Sequence, residues 1–252
     1  MMERPCDPAA QVHDSPASQA RPLRPSELAS CIDHTLLRRD ASPAELLRAC
    51  DEALRFGFRG VCVYPEHLGQ VVSRLDARAL AITVAGFPGG LEALEDKADQ
   101  VRAAVASGAA EVDAVLNRDL LRQRDHARVL HEIATLVRAA CPARLKIILE
   151  TGDLTRDERI MAATLAKAAG AACVKTSTGL GHPGATAEDV ALLRDVVGLD
   201  MGVKASGGIR DLQQCLAMLQ AGASIVGTSA SVTIMEQAMA LGDPESLPGE
   251  VS

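Results

Sequence analysis

Eight short apolar runs, each followed by an amphipathic helical run, constrain the fold of this chain more than any other feature. They are CIDHT (31–35), GVCVY (60–64), AITVAGF (81–87), EVDAVLN (111–117), LKIILE (145–150), CVKTST (173–178), GVKASG (202–207) and SIVGTS (224–229). Each is nearly unalternated, the pattern of a parallel strand covered on both faces. Gly57, Gly108, Gly170, Gly198, Gly222 and Gly242 follow helical stretches, where glycine adopts the left-handed conformation without steric cost. Ser42-Pro43-Ala44-Glu45 and Thr155-Arg156-Asp157-Glu158 fit the capping box, with Pro43 at a tolerated first helical position.

Eight βα units can close into a barrel or lie open as a doubly wound sheet. The open sheet often carries GxGxxG after its first strand, and no such motif follows the first run, CIDHT, here. Even spacing and a length of 252 residues favour the α/β class, as a single (β/α)8 TIM barrel. The expected layout is a disordered N-terminal tail over 1–25, rich in Pro, Ala, Ser and Asp. The barrel would occupy 26–245 and a short C-terminal tail 246–252.

Hydrophobic residues make up 48 % and aromatics only 2 %, so Ala, Val, Leu and Ile must fill the core. A net charge of −7, with no basic stripe, argues against nucleic acid as a partner. No run is long enough to span a bilayer and no apolar leader precedes the barrel, so a cytoplasmic location is expected. Seven cysteines without a CxxC suit a reducing compartment, not a disulfide framework. The six histidines are scattered, so no metal site is expected. Barrels of this kind often pair, so a homodimer is admissible, although no apolar stripe marks an interface.

Barrel chemistry gathers at the C-terminal ends of the strands. There lie Asp33 and Thr35, Cys62 and Tyr64, Asp113 and Asn117, Glu150, Lys175 and Lys204. Lysine is almost never fully buried unless paired or functional, yet CVKTST and GVKASG each carry one. Each could merely neutralise a carboxylate such as Asp113 or Glu150. Two on neighbouring strands point further. Two ammonium groups in one low-dielectric pocket repel, so one loses its proton more easily. A neutral lysine can form a Schiff base with an aldehyde or ketone, with Asp113 the best candidate for moving protons. Cys62, without a suitable His, reads as pocket lining.

The second constellation is glycine-rich. Gly207-Gly208 precedes one helical run, and Gly227-Thr228-Ser229 precedes the next. Backbone N–H groups at such turns hold phosphate, commonly after strands seven and eight of a barrel.

These residues also carry a resemblance. VKTSTGLGHPGAT (174–186) followed by VKASGGIR (203–210) resembles the signature of the 2-deoxyribose-5-phosphate aldolase family. IDHTLL (32–37), VCVYP (61–65), VAGFPGG (84–90), EVDAVLN (111–117), LKIILET (145–151) and AGASIVGTS (221–229) extend it from about Ser26 to Ser231. The resemblance implies a TIM-barrel lyase without metal or organic cofactor, acting on a small sugar phosphate. The implied reaction is reversible cleavage of 2-deoxy-D-ribose 5-phosphate to D-glyceraldehyde 3-phosphate and acetaldehyde, in deoxyribose phosphate catabolism. It further implies Lys175 as Schiff-base lysine, Lys204 as the group that lowers its pKa and joins the proton relay, and Asp113 as proton donor and acceptor. Asp33, Thr35, Cys62 and Thr178 would line the substrate. Gly179, Gly207, Gly208, Thr228 and Ser229 would hold its phosphate.

The chain departs from the family pattern at Arg118-Asp119 and at Gly152-Asp153, and no Tyr lies beyond Tyr64. Another Schiff-base aldolase or a transaldolase on the same fold is the competing enzyme reading. A sugar-phosphate-binding barrel without catalysis is the competing reading from another class.

Overall fold

The computed structural model describes residues 23–180 and 183–241. Residues 1–22 of the expected tail, the whole of 246–252, Gly242 and His182 lie outside the described residues. The strands form one closed parallel barrel in sequence order. They are β1 (Ile32–Leu36), β2 (Gly60–Val63), β3 (Leu80–Ala85), β4 (Glu111–Val115), β5 (Arg144–Ile148), β6 (Cys173–Lys175), β7 (Gly202–Ser206) and β8 (Ile225–Thr228). Every apolar run of the sequence supplies one of them. The (β/α)8 TIM-barrel fold is therefore the fold of the chain.

Around the barrel pack α2 (Pro43–Phe56), α3 (Leu68–Leu75), α4 (Leu94–Ala106), α6 (His126–Ala140), α7 (Arg156–Ala168), α8 (Ala187–Val197), α9 (Leu212–Gln220) and α10 (Ser231–Ala240). Two further helices stand outside this alternation: α1 (Pro25–Ser30) before β1, and α5 (Arg118–Arg122) after β4. The predicted starts hold in atomic detail. The Ser42 hydroxyl accepts from Glu45 N while the Glu45 carboxylate accepts from Ser42 N, and Thr155 and Glu158 repeat the exchange. Gly57, Gly108, Gly170, Gly198 and Gly222 all have positive φ, the conformation that stops a helix most readily at glycine.

Small residues do the packing that aromatics do elsewhere. Val61, Val63, Val112, Ala114, Val174, Val203, Ala205 and Val226 face the helices and are fully buried. Cys31, Cys50, Cys62, Cys173 and Cys215 are buried free thiols, whereas Cys141 is disulfide-bonded, which the cysteine spacing did not indicate.

One fixing point escapes any reading of hydrophobic period. Lys97 of α4 is fully buried, and its ammonium donates to Gly90 O (2.9 Å), Val115 O (3.0 Å) and Glu132 Oε1 (2.6 Å). Glu132 Oε1 also accepts from Asn117 N. The pair fastens the end of β4, and the β3–α4 loop, to α6. Lys97→Met strands the Glu132 carboxylate in the interior and is expected to destabilise by about 3–5 kcal/mol. Urea unfolding will show this. Adding Glu132→Leu should restore most of the loss, because burying an apolar pair leaves no orphan charge.

Candidate active site

Period-two alternation turns Asp113, Lys146, Lys175 and Lys204 into the barrel, and strand register sets them side by side. Asp113 lies opposite Lys146 across β4 and β5. Lys175 lies opposite Lys204 across β6 and β7. All four are buried, Lys175 to 2 % exposure. Asp113 Oδ2 receives both Lys175 Nζ at 3.0 Å and Lys204 Nζ at 2.8 Å, and Asp113 Oδ1 receives Lys146 Nζ at 2.8 Å. Lys204 Nζ also reaches Asp33 Oδ2 at 2.6 Å. Gly227 of β8 leaves room for this lysine, since a Cβ there would meet Lys204 Cε at 2.9 Å. A side chain at this position would displace Lys204.

Beneath this layer Arg59 binds Asp33 (2.7 Å) and Glu111, while Lys146 binds Glu111 at 2.5 Å. The network so holds four cations, Arg59, Lys146, Lys175 and Lys204, against three carboxylates, Asp33, Glu111 and Asp113. Burial pushes the Asp113 carboxyl up, but the ammonium groups of Lys146, Lys204 and Lys175 together hold it well below the usual carboxylate range. Burial pulls the Lys204 ammonium down, yet Asp113 and Asp33 raise it well above its ordinary value. Lys146 is likewise raised against burial, by Asp113 and Glu111. At neutral pH, then, Asp113 is an anion and Lys204 and Lys146 are cations.

Beside the lysines of CVKTST and GVKASG, LKIILE carries a third, Lys146. Lys146 shares its phase with Ile148, so the signal applied to Lys175 and Lys204 was present there too. Arg59 and Glu111 sit at strand starts, where barrel rules do not look for chemistry. Glu150, offered as a neutraliser of lysine, makes no ion pair among the described residues; its carboxylate accepts from Thr178 N instead.

The other predicted residues divide between the mouth and the interior. Cys62 is fully buried in an apolar cluster with Tyr64, Ile82, Val84, Phe87, Val115 and Ile148. Burial raises its thiol pKa, so it remains protonated. Asp33 is fully buried, with its carboxylate engaged by Arg59 and Lys204. Thr35, half-buried, donates to Asp33 O. Thr178 is buried and its hydroxyl accepts from Leu180 N.

The glycine loops meet. Gly179, Gly207 and Gly208 all have positive φ (87°, 95° and 78°), and a Cβ on Gly207 would lie 3.1 Å from Gly184 Cα and 3.4 Å from Gly179 Cα. A Cβ on Gly184 would collide with Gly207 O, which accepts from Ala185 N at 3.0 Å. Only glycine permits this approach. Thr228 uses its hydroxyl to bind Ile209 O (2.6 Å) and Ala230 N (2.9 Å), so it ties β8 to the β7–α9 loop, while Ser229 and Gly208 stay exposed. Arg118 and Asp153, from the two departures, pair with each other at 3.5 Å beyond the ends of β4 and β5.

The chain is similar to known aldolases in sequence and in fold. A deoxyribose-phosphate aldolase of Geobacillus sp. is 45 % identical over 213 residues, covering 84 % of this chain and 96 % of that protein. A tetrameric deoxyribose phosphate aldolase from Aeropyrum pernix superposes with a TM-score of 0.79 at 33 % identity, over 86 % of this chain and 93 % of the other. An aldolase called QR15 superposes at 0.80, also 33 % identical, over 83 % and 95 %. The profile of the DeoC/LacD family aldolases matches residues 28–235. With a closed barrel and buried lysines on its strands, this chain belongs to the DeoC/LacD family of aldolases.

Proposed function

We propose that this protein is a deoxyribose-phosphate aldolase that cleaves 2-deoxy-D-ribose 5-phosphate through a Schiff base on Lys175. The observation that carries the reading is the shared oxygen: Asp113 Oδ2 meets Lys175 Nζ at 3.0 Å and Lys204 Nζ at 2.8 Å in a buried barrel mouth. With Lys175 as free amine, three cations face three carboxylates. Lys175 has one carboxylate contact, Asp113, which it shares with Lys204, whereas Lys204 has a second, Asp33. It is therefore the lysine whose charge the network needs least.

The amine of Lys175 adds to the C1 aldehyde of the open-chain sugar. Lys204 donates a proton as water leaves, giving the protonated imine. The Asp113 carboxylate, directly or through water, takes the proton from the C3 hydroxyl. The C2–C3 bond then breaks, and its electron pair moves into an enamine on Lys175. Glyceraldehyde 3-phosphate departs with C3 as its aldehyde carbon. Protonation of the enamine at C2 and hydrolysis of the imine release acetaldehyde and restore the lysine. The glycine cradle of Gly179, Gly207 and Gly208, with Ser229 beside it, would receive the phosphate on backbone N–H groups. Thr35, Cys62 and Thr178 would border the sugar, with Asp33 acting through Lys204. We read the cleavage as catabolic and cytoplasmic, since five of the six described cysteines are buried free thiols and only Cys141 is oxidised, and expect a homo-oligomer.

The test is direct. Incubation with 2-deoxyribose 5-phosphate should yield acetaldehyde and glyceraldehyde 3-phosphate in equal amounts, and acetaldehyde should serve as donor in the reverse direction. Use of dihydroxyacetone phosphate in its place would assign a different aldol specificity. Binding without products would leave a sugar-phosphate-binding barrel.

A further inference from the structure

Glu150, two residues past the end of β5, has left-handed backbone angles, φ 57° and ψ 62°. Such angles are uncommon outside glycine and cluster where surrounding structure enforces them. Its side chain is buried to 6 % exposure, and its carboxylate pairs with no cation among the described residues. Something else must hold it. The left-handed turn brings Thr151 N onto Thr176 O at 2.9 Å, and Glu150 Oε2 accepts from Thr178 N at 3.1 Å.

Thr176, Ser177 and Thr178 follow Lys175 directly. Their other side is fastened to β7: Thr176 Oγ1 donates to Ser206 O (3.1 Å), Ser206 N donates to Thr176 Oγ1 (3.1 Å), and Ser206 Oγ donates to Ser177 O (2.6 Å). Ser206 thus secures the segment from β7 and Glu150 secures it from β5. The next residue is Gly179, whose backbone packs against Gly207. A carboxylate accepting from a backbone N–H makes a strong charge-assisted hydrogen bond. Here that bond fixes the last residue before the turn at Gly179.

We propose that Glu150 is a positioning residue for the phosphate end of the substrate, holding Thr178 so that the Gly179 turn stays in register with Gly207 and Gly208. The inference rests on the reading of those glycines as the phosphate cradle. It assigns Glu150 no contact with the reacting carbons, so its loss acts on KM for a phosphorylated sugar and spares Schiff-base formation.

Three variants separate the possibilities. Glu150→Asn tolerates the left-handed angles but is one methylene too short to reach Thr178 N. Glu150→Gly accepts those angles most readily and serves if the Asn variant fails to fold. Glu150→Gln keeps an acceptor oxygen at full reach. With 2-deoxyribose 5-phosphate, the Asn and Gly variants should raise KM about tenfold and change kcat by less than about threefold, the loss of one charge-assisted hydrogen bond. The Gln variant should recover KM to within about threefold of wild type. Borohydride trapping of acetaldehyde on Lys175, which involves no phosphate, should keep its wild-type rate in all three. Equal losses in trapping and in KM, or no change in either, would overturn the positioning role. Wild-type protein that fails to cleave 2-deoxyribose 5-phosphate would instead overturn the aldolase reading, before any variant is compared.

Discussion

Lys175→Ala is expected to lose the covalent adduct entirely and to lower kcat for 2-deoxyribose 5-phosphate by at least about 10⁴-fold, as removal of a covalent nucleophile does. The protein should nonetheless stay folded. Removing Lys175 takes one cation from a network in which four face three carboxylates, so three remain against three. No carboxylate is orphaned, because Asp113 keeps Lys146 on one oxygen and Lys204 on the other. The stability change should stay within the ordinary range for a single substitution, about 1–2 kcal/mol. Intact mass after borohydride reduction reads the adduct, and thermal unfolding reads the fold. An adduct that persists in Lys175→Ala would move the nucleophile to Lys204 or Lys146.

Asp113→Asn should do the opposite to the balance. It leaves four cations facing only Asp33 and Glu111. Breaking a buried ion pair from one side typically costs about 3–5 kcal/mol, and loss of a positioned proton-transfer group costs about 10²–10⁴ in rate. The pH dependence identifies the cause. In the wild type the Asp113 carboxyl lies well below its ordinary 3.8, so its contribution is fully present above that value and fades only as pH falls through the lower folded value. Lys204 lies well above its ordinary 10.5, so its contribution is fully present below that value and fades only as pH rises through the higher folded value. Between those limits Asp113 and Lys204 add no pH dependence to the stability of the wild type. In Asp113→Asn the ammonium groups lose their main partner, their pKa values fall, and stability should climb with pH as the surplus protons leave. Urea midpoints at pH 6 and pH 9 will show the variant's deficit shrinking. Parallel curves would mean that Asp113 does not set the charge balance of the interior.

Much of this was legible in the chain. Apolar runs and left-handed glycines are local signals, and each of the eight strands appears where its run predicts. Boundaries shift where tertiary contacts decide. CVKTST gives only Cys173–Lys175 to the ladder, because Thr176 and Ser177 turn to bind Ser206 and Thr178 turns to Glu150. EVDAVLN ends its strand at Val115, because Asn117 caps α5 by accepting from Asp119 N and Leu120 N. Lys146, a lysine inside an apolar strand run, carries the same local signal as Lys175 and Lys204. Lys97 was not readable, since a lysine within LEDKADQV resembles any solvated helix residue until α6 supplies Glu132.

The sequence by itself determined the barrel, its strand order and the strands on which Asp113, Lys175 and Lys204 stand, because period and glycine placement act within a few residues of chain. Only the tertiary structure decided that three lysines and an arginine share three carboxylates, that Gly227 makes room for Lys204, and that Glu150 turns left-handed to hold Thr178. Those outcomes depend on which side chains meet across the closed barrel, between residues as far apart as Asp33 and Lys204. The energy of a buried charge is set by the neighbours that closure brings to it, not by its place in the chain.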